Sequence, residues 1–393
     1  MKGFHIAVAH LERVIADITA AVLSSQFKRH IASRDRARWT GQTAFGAPGL
    51  ALSETERIAV GARCAAFFGC EDRFVLEEND TIAAAAQRVS ELISKNFVSL
   101  QFATMSGDGT VKVCAYPADQ LYQDAVALSG VLQGRRRIVS MVSAHNIVGF
   151  AATVVMAELQ GLETVDGRGL SAGALSAELA FGDLLIATPT VWRYLSKTLE
   201  RTPDNVMGAS FGETMRADLA ADLREIGLGA LREIYGVTEM GLVAWRDGPP
   251  EAFRPFAHWR QGEDDAHFIR LRPDGGFTPI EVMDAVVWEG DAFHLHGRRD
   301  GAVQVGGVNV YPKRIGEIIE MHPLVDVCRV RLGRQREGAV RLIAHMVLSP
   351  SAAPSDSVMR DIDKWCRLHL RPPERPRIFN FEPGLASLPE AEA

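Results

Sequence analysis

Leu11, Val14, Ile15, Ile18 and Val22 recur among charged and small residues at the spacing of one face of a helix, so the first element read from the chain is an amphipathic helix near the amino terminus. Ser53-Glu54-Thr55-Glu56 sets a hydroxyl three residues before a carboxylate, the spacing of a capping box, and opens a second helix running toward Phe67 and Phe68. The chain to about residue 95 therefore reads as a mainly helical lead-in. From Val98 onward, short runs of branched apolar residues alternate with helical periods. Strands are expected at 98–102, 137–142, 183–187 and 231–235. Such alternation implies an α/β fold with parallel-rich sheets, whose ligands bind outside the carboxyl ends of the strands. The loops after Phe102, Val142 and Tyr235 are thus where chemistry is expected.

Beyond Asp284 the pattern changes. Residues 286–296 read as a hairpin turning at 289–291, 297–307 is glycine-rich and polar, and helix, strand, strand, helix follow at 312–321, 327–332, 339–348 and 356–370. The expected layout is a large amino-terminal domain, 1–297, and a small α+β carboxyl-terminal domain, 298–393. The most apolar stretch, 147–162, is shorter than a membrane span and carries Glu158, so it is expected to be a buried helix. The amino terminus lacks the uninterrupted apolar run of a signal peptide, and a cytoplasmic location with no membrane partner is expected.

Composition adds constraints. The chain has 393 residues, 47% hydrophobic and 23% charged, enough to bury a large core. A formal net charge of -6 gives no global field for polyanions, which disfavours nucleic acid and points to small-molecule partners. Cys64, Cys70, Cys114, Cys328 and Cys366 form no CxxC pair or Cys/His set, as in a reducing compartment without structural zinc.

The strongest local signal is Tyr235-Gly236-Val237-Thr238-Glu239-Met240-Gly241, directly after a strand. An aromatic face can stack on a purine, a threonine hydroxyl can bond a phosphate oxygen, and a carboxylate can hold the magnesium that accompanies a triphosphate. The competing reading is a strand-to-turn junction with a buried tyrosine. Further along stand Gly297-Arg298-Arg299-Asp300, then Gly306-Gly307-Val308-Asn309-Val310 and Pro312. This ordered pair of motifs resembles the adenylate-forming enzymes, which include acyl-CoA and aryl-CoA synthetases. Cys64-Ala65-Ala66-Phe67-Phe68, Ala144-His145 and Gly149-Phe150 make it similar to the short 4-coumarate–CoA ligases associated with photoactive yellow protein.

The resemblance implies an AMP-forming ligase that uses ATP, Mg2+ and CoA. A small, aromatic carboxylic acid would be activated as its acyl-adenylate and passed to CoA or to an acyl carrier protein's thiol. It implies adenine contacts for Tyr235 and Gly236, phosphate for Thr238, magnesium for Glu239, ribose for Asp284, and ribose or phosphate for Arg298. Asp300 would be the hinge, and Gly306 and Gly307 would line the thiol tunnel, where only glycine lets a pantetheine arm approach so closely; a surface turn is the competing reading. His145 and Asn146 would wall the acyl pocket, and Ala209 and Gly212 would leave room beside it. A structural histidine and close strand packing compete with these assignments.

The phosphate loop departs from the family's TSGSTGxPK form, since it reads Thr104-Met105-Ser106-Gly107-Asp108-Gly109-Thr110-Val111-Lys112. Thr104, Gly109 and Lys112 keep their places and would cradle phosphate. Met105 replaces a hydroxyl, Val111 replaces the proline, and Asp108 sets a negative charge toward phosphate unless magnesium or Lys112 screens it. Relatives finish with a Gly-Lys whose lysine serves adenylation. The sequence here reads Leu388-Pro389-Glu390-Ala391-Glu392-Ala393, and no lysine follows Lys364. A second class of function is therefore carried beside the ligase: a catalytically impaired relative that binds a nucleotide or acyl-adenylate and regulates. A third is a split enzyme whose lysine comes from elsewhere. His294 and His296 read as strand packing rather than metal ligands, and the arginines between 329 and 341 as a solvated hairpin face.

Overall fold

All five side chains of the strand Asp183–Ala187 are buried, as a strand covered on both faces requires. It lies within a seven-stranded sheet whose spatial order is Glu163–Asp166, Arg137–Ser140, Asp183–Ala187, Met207–Ser210, Ala230–Val237, Gly241–Arg246 and Arg254–Pro255. The first five run parallel, with Ile186 aligned between Ser140 and Ala209, and Gly241–Arg246 is antiparallel to both of its neighbours, Ala230–Val237 and Arg254–Pro255. The computed structural model describes residues 6–71, 73–95, 97–105, 110–305, 308–334, 340–384 and 387. Strands appear at each of the four expected places. The edge strand Glu163–Asp166 and the antiparallel pair after Tyr235 are additions: Glu163–Asp166 and Arg254–Pro255 are too short to show a period, and Gly241–Arg246, buried at all but Trp245, has no alternation to announce it.

The helical lead-in is present as expected. Helix Val8–Gln26 buries Leu11, Val14, Ile15, Ile18 and Val22. At the start of helix Glu54–Phe68 the Ser53 hydroxyl accepts the Glu56 N–H, and the Ser53 N–H donates to Glu56 Oε2 at 2.9 Å, which completes the capping box. Phe67 carries this helix into the core, where its ring meets Phe102 at 5.3 Å and Phe150 at 5.8 Å. Phe150 belongs to the apolar stretch after the Arg137–Ser140 strand, which is helical through Gln160 with a π turn at Ala151–Val155 and is buried through Ala157. No helix of the described residues is long and apolar enough to cross a membrane.

The chain divides into two compact units: residues 1–104, 113–260 and 269–280 in one, and 105–112, 261–268 and 281–393 in the other. In the second, strands Asp284–Glu289 and Ala292–Arg298 form the expected hairpin, turning through Gly290, and Trp288 and Phe293 pack on Phe268. Strands Val325–Arg334, Val340–Leu348 and Ile378–Phe381 form a sheet covered by helices Pro312–Glu320 and Asp356–His369.

Replacing Ser53 by Ala removes one half of the capping box and is expected to lower unfolding free energy by about 1 kcal/mol, read as a shift in urea midpoint at unchanged m-value.

Candidate functional site

Three loops that carry nominated residues leave adjacent or near-adjacent parallel strands at their carboxyl ends: 141–146 after Arg137–Ser140, 211–216 after Met207–Ser210, and the turn after Ala230–Val237. A fourth, after Asp183–Ala187, places Thr188 as the cap of helix Pro189–Thr198. The sheet thereby brings His145, Asn146, Ala209, Gly212, Tyr235, Gly236, Thr238 and Glu239 to one edge.

Around Tyr235 the chain is tightly fitted. Tyr235 is buried, with its ring centroid 5.8 Å from that of Phe253. A Cβ on Gly236 would lie 2.6 Å from Gly241 O and 3.3 Å from Val148 Cγ2, so glycine here lets the strand approach the helix that starts just after Asn146. Met240 N–H bonds Val237 O at 3.1 Å and closes the turn, leaving Thr238 half-buried and Glu239 exposed. Glu239 is thus a carboxylate held outward on a closed turn.

In the loop after Met207–Ser210, the left-handed Gly212 (φ +87°) leads to Glu213, whose Oε2 accepts from Thr190 Oγ1 at 2.9 Å. Glu213 Oε1 is buried without a partner, and burial pushes the carboxyl above its usual range, with Thr190 opposing in part. Glu213 has no role in the sequence reading, since an exposed-looking acid after a glycine carries no signal of its own. The small residues before it are used in packing: Ala209 is buried, and the space beside Gly208 is filled by Leu228, Leu231 and Trp192.

His145 sits in a charged corner. Asp17, 2% exposed, accepts from Arg36 Nε at 3.0 Å, Arg168 Nη2 at 2.7 Å and Ala144 N–H at 2.8 Å, which fixes the backbone beside His145. Burial pushes the Asp17 carboxyl up, but Arg168 and Arg36 outweigh it and hold it below the usual range. The His145 Nδ1 is buried without a partner, and burial lowers the imidazole's pKa against the pull of Asp17, so the ring is neutral near pH 7. A cavity of about 210 Å³ opens here, lined by Asp17, Arg36, Ser143, His145 and Arg168 among others. The Asn146 side chain is committed to its own loop: it donates to Ser143 O at 3.1 Å and accepts from Gly149 N–H at 2.6 Å.

In the second unit, three more nominated residues meet. Arg298 donates to both Asp300 oxygens at 2.9 and 2.7 Å and lies 3.6 Å from Asp284, its partner across the hairpin. Burial favours the protonated form of Asp300, yet the forked Arg298 bonds outweigh it and keep the carboxyl low. Lys112 is exposed on strand Val111–Pro117, and Thr104 is half-buried near the end of strand Ser99–Met105. Gly109, Gly306 and Gly307 lie outside the described residues, as does Asp108.

No family model matches the chain. It is 31% identical over 310 residues to a 4-coumarate–CoA ligase from Halorhodospira halophila, covering 78% of this chain and 77% of that protein. It is 28% identical over 373 residues to a 4-coumarate–CoA ligase from Rhodobacter capsulatus, covering 91% and 93%. Among solved structures it superimposes on an amide bond synthetase from Marinactinospora thermotolerans with a TM-score of 0.62 at 15% identity, covering 96% and 92%. It also matches an o-succinylbenzoate CoA synthetase from Bacillus subtilis with a TM-score of 0.60 at 16% identity, covering 72% and 66%.

The raised Glu213 pKa has a testable consequence. Folding disfavours its charged form, so its contribution to stability declines as pH rises from the unfolded carboxyl value through the folded one. Urea midpoints of the parent and Glu213→Gln should coincide at about pH 4 and diverge toward pH 8, with the glutamine variant the more stable. A constant difference across that range would remove the assignment.

Proposed function

Since the chain belongs to the adenylate-forming superfamily of acyl- and aryl-CoA synthetases, alongside the 4-coumarate–CoA ligases, we propose that it is an AMP-forming ligase that joins a small aromatic carboxylic acid to CoA. In the first half-reaction a carboxylate oxygen of the acid attacks the α-phosphorus of ATP and pyrophosphate leaves. In the second, the thiol gives up its proton to solvent, its sulfur attacks the acyl carbon, and the bond from that carbon to the phosphate oxygen breaks, AMP leaving with the electrons. CoA is favoured over a carrier-protein thiol because the relatives are CoA ligases.

The observation that carries this reading is the Thr238–Glu239 turn, held at the carboxyl edge of the sheet beside the His145 and Gly212 loops. We assign Thr238 to the phosphates, Tyr235 and Gly236 to the adenine wall, Asp284 and Arg298 to the ribose, and Thr104, Gly109 and Lys112 to the phosphate loop. His145, Asn146, Ala209 and Gly212 border the acyl group, with neutral His145 able to donate or accept a hydrogen bond. Gly306 and Gly307 receive the CoA arm, and Asp300 is the hinge. Among the described residues no group of three His, Cys, Asp or Glu side chains could hold a metal alone. Glu239 is the carboxylate that would hold magnesium, together with triphosphate oxygens. Bound there, magnesium would neutralise charge on the phosphates.

The second reading, an impaired relative that binds nucleotide or acyl-adenylate, has Asp108 and Val111 in the phosphate loop as its motive. Calorimetric titration with Mg-ATP, alone and with 4-coumarate, together with a pyrophosphate-release assay, separates the two. The ligase reading expects acid-dependent pyrophosphate release, with Glu239→Gln lowering kcat/KM for Mg-ATP by about 10²-fold without loss of thermal stability. Binding of an acyl-adenylate analogue without turnover would select the impaired relative, and no binding at all would sink both. If the loop cradles phosphate, Asp108→Thr should tighten Mg-ATP binding.

A further inference from the structure

Behind the Thr238–Glu239 turn lies a buried set of polar side chains that the reaction as described does not use. Asp124, in helix Ala118–Val131, is fully buried. Its Oδ2 accepts from Leu242 N–H at 2.9 Å and lies 2.8 Å from Tyr116 Oη. Its Oδ1 accepts from Arg270 Nη2 at 2.6 Å and lies 3.0 Å from His258 Nε2. Tyr116 Oη is also 2.8 Å from Met240 O, which accepts from Arg270 Nη1 at 2.9 Å, and Arg270 bonds Tyr116 as well. The carbonyl one residue after Glu239 and the N–H three residues after it are therefore both held from behind.

Gly241 shows how closely the set is fitted. It is left-handed, at φ +82°, and a Cβ there would lie 1.9 Å from Tyr116 Oη and 2.3 Å from Asp124 Oδ2. The last glycine of the motif exists so that the tyrosine and the aspartate can reach the backbone on either side of it. The hydroxyl stays protonated, since burial and then the Asp124 charge push its pKa well above the usual phenol value.

We propose that Asp124 and Tyr116 are positioning residues that clamp the Met240–Leu242 backbone and so aim Thr238 and Glu239. The inference rests on the ligase reading only for what those two side chains bind; the clamp itself is a property of the fold. Groups that orient a ligating carboxylate matter nearly as much as the ligand, and their loss typically costs about 10- to 100-fold in metal affinity or activity.

Two variants test this. Tyr116→Phe deletes one hydroxyl at constant shape, and Asp124→Asn removes the charge that Arg270 faces. Hydrogen exchange of 240–242 should accelerate by roughly tenfold or more in Tyr116→Phe and further in Asp124→Asn, while 183–187 stays protected. In turnover, Tyr116→Phe should lower kcat/KM for Mg-ATP by about tenfold and raise the Mg2+ concentration needed, leaving KM for the acid within about twofold. Unchanged exchange at 240–242 in Tyr116→Phe, or acceleration spread evenly over the first unit, overturns the clamp. Localised acceleration in a protein with no Mg-ATP turnover would uphold the clamp and refute the ligase.

Discussion

Three buried carboxylates hold the chain where it leaves one edge of the large sheet. Asp17 accepts the Ala144 N–H, Glu233 the Met215 N–H at 2.9 Å, and Asp124 the Leu242 N–H, and each is at most 2% exposed. Each is also paired with arginine: Asp17 with Arg36 and Arg168, Glu233 with Arg246, Asp124 with Arg270. An unpaired ionised carboxylate in such a place would be prohibitively costly; at Asp17 the guanidiniums outweigh that cost, whereas at Glu233 Arg246 opposes it only in part and burial pushes the carboxyl up. The oxygen lone pairs left over then take a loop N–H as a charge-assisted bond. The same constraint recurs on three loops that leave one sheet edge.

The arrangement ties stability to function. Removing one partner of a buried pair leaves the other uncompensated, at about 3 to 5 kcal/mol, so these loops cannot relax without a large part of the domain's stability. On the proposed reading, loops fixed in this way would need no reorganisation as charge developed on a phosphate, which is how preorganised groups lower barriers. The contrast within the site is informative. Glu239 stands exposed on a clamped turn, whereas Glu213 keeps a buried oxygen without a partner.

How much was legible in the sequence follows from the range of each interaction. The Ser53 capping box, the helix from Val8 and the strand Asp183–Ala187 are local, and the side-chain pattern announces them. The hairpin ending at Arg298 was legible too, and the meeting of Asp284, Arg298 and Asp300 follows from its register. Asp17 and Asp124 were not legible, since a single acid on an amphipathic helix looks like a solvated face. Their backbone partners lie 127 and 118 residues away. Nor could the sequence show that Asn146 caps its own helix, because the same residue type in the same place equally suits a ligand contact.

The most direct test of the account is hydrogen exchange of the whole chain with and without a nonhydrolysable 4-coumaroyl-adenylate analogue. Added protection at 143–146, 211–215 and 237–242 together, with the far ends of the same strands unchanged, is the predicted result. Protection confined to other segments, or none at saturating analogue, would contradict the claim that these three pinned loops form one site.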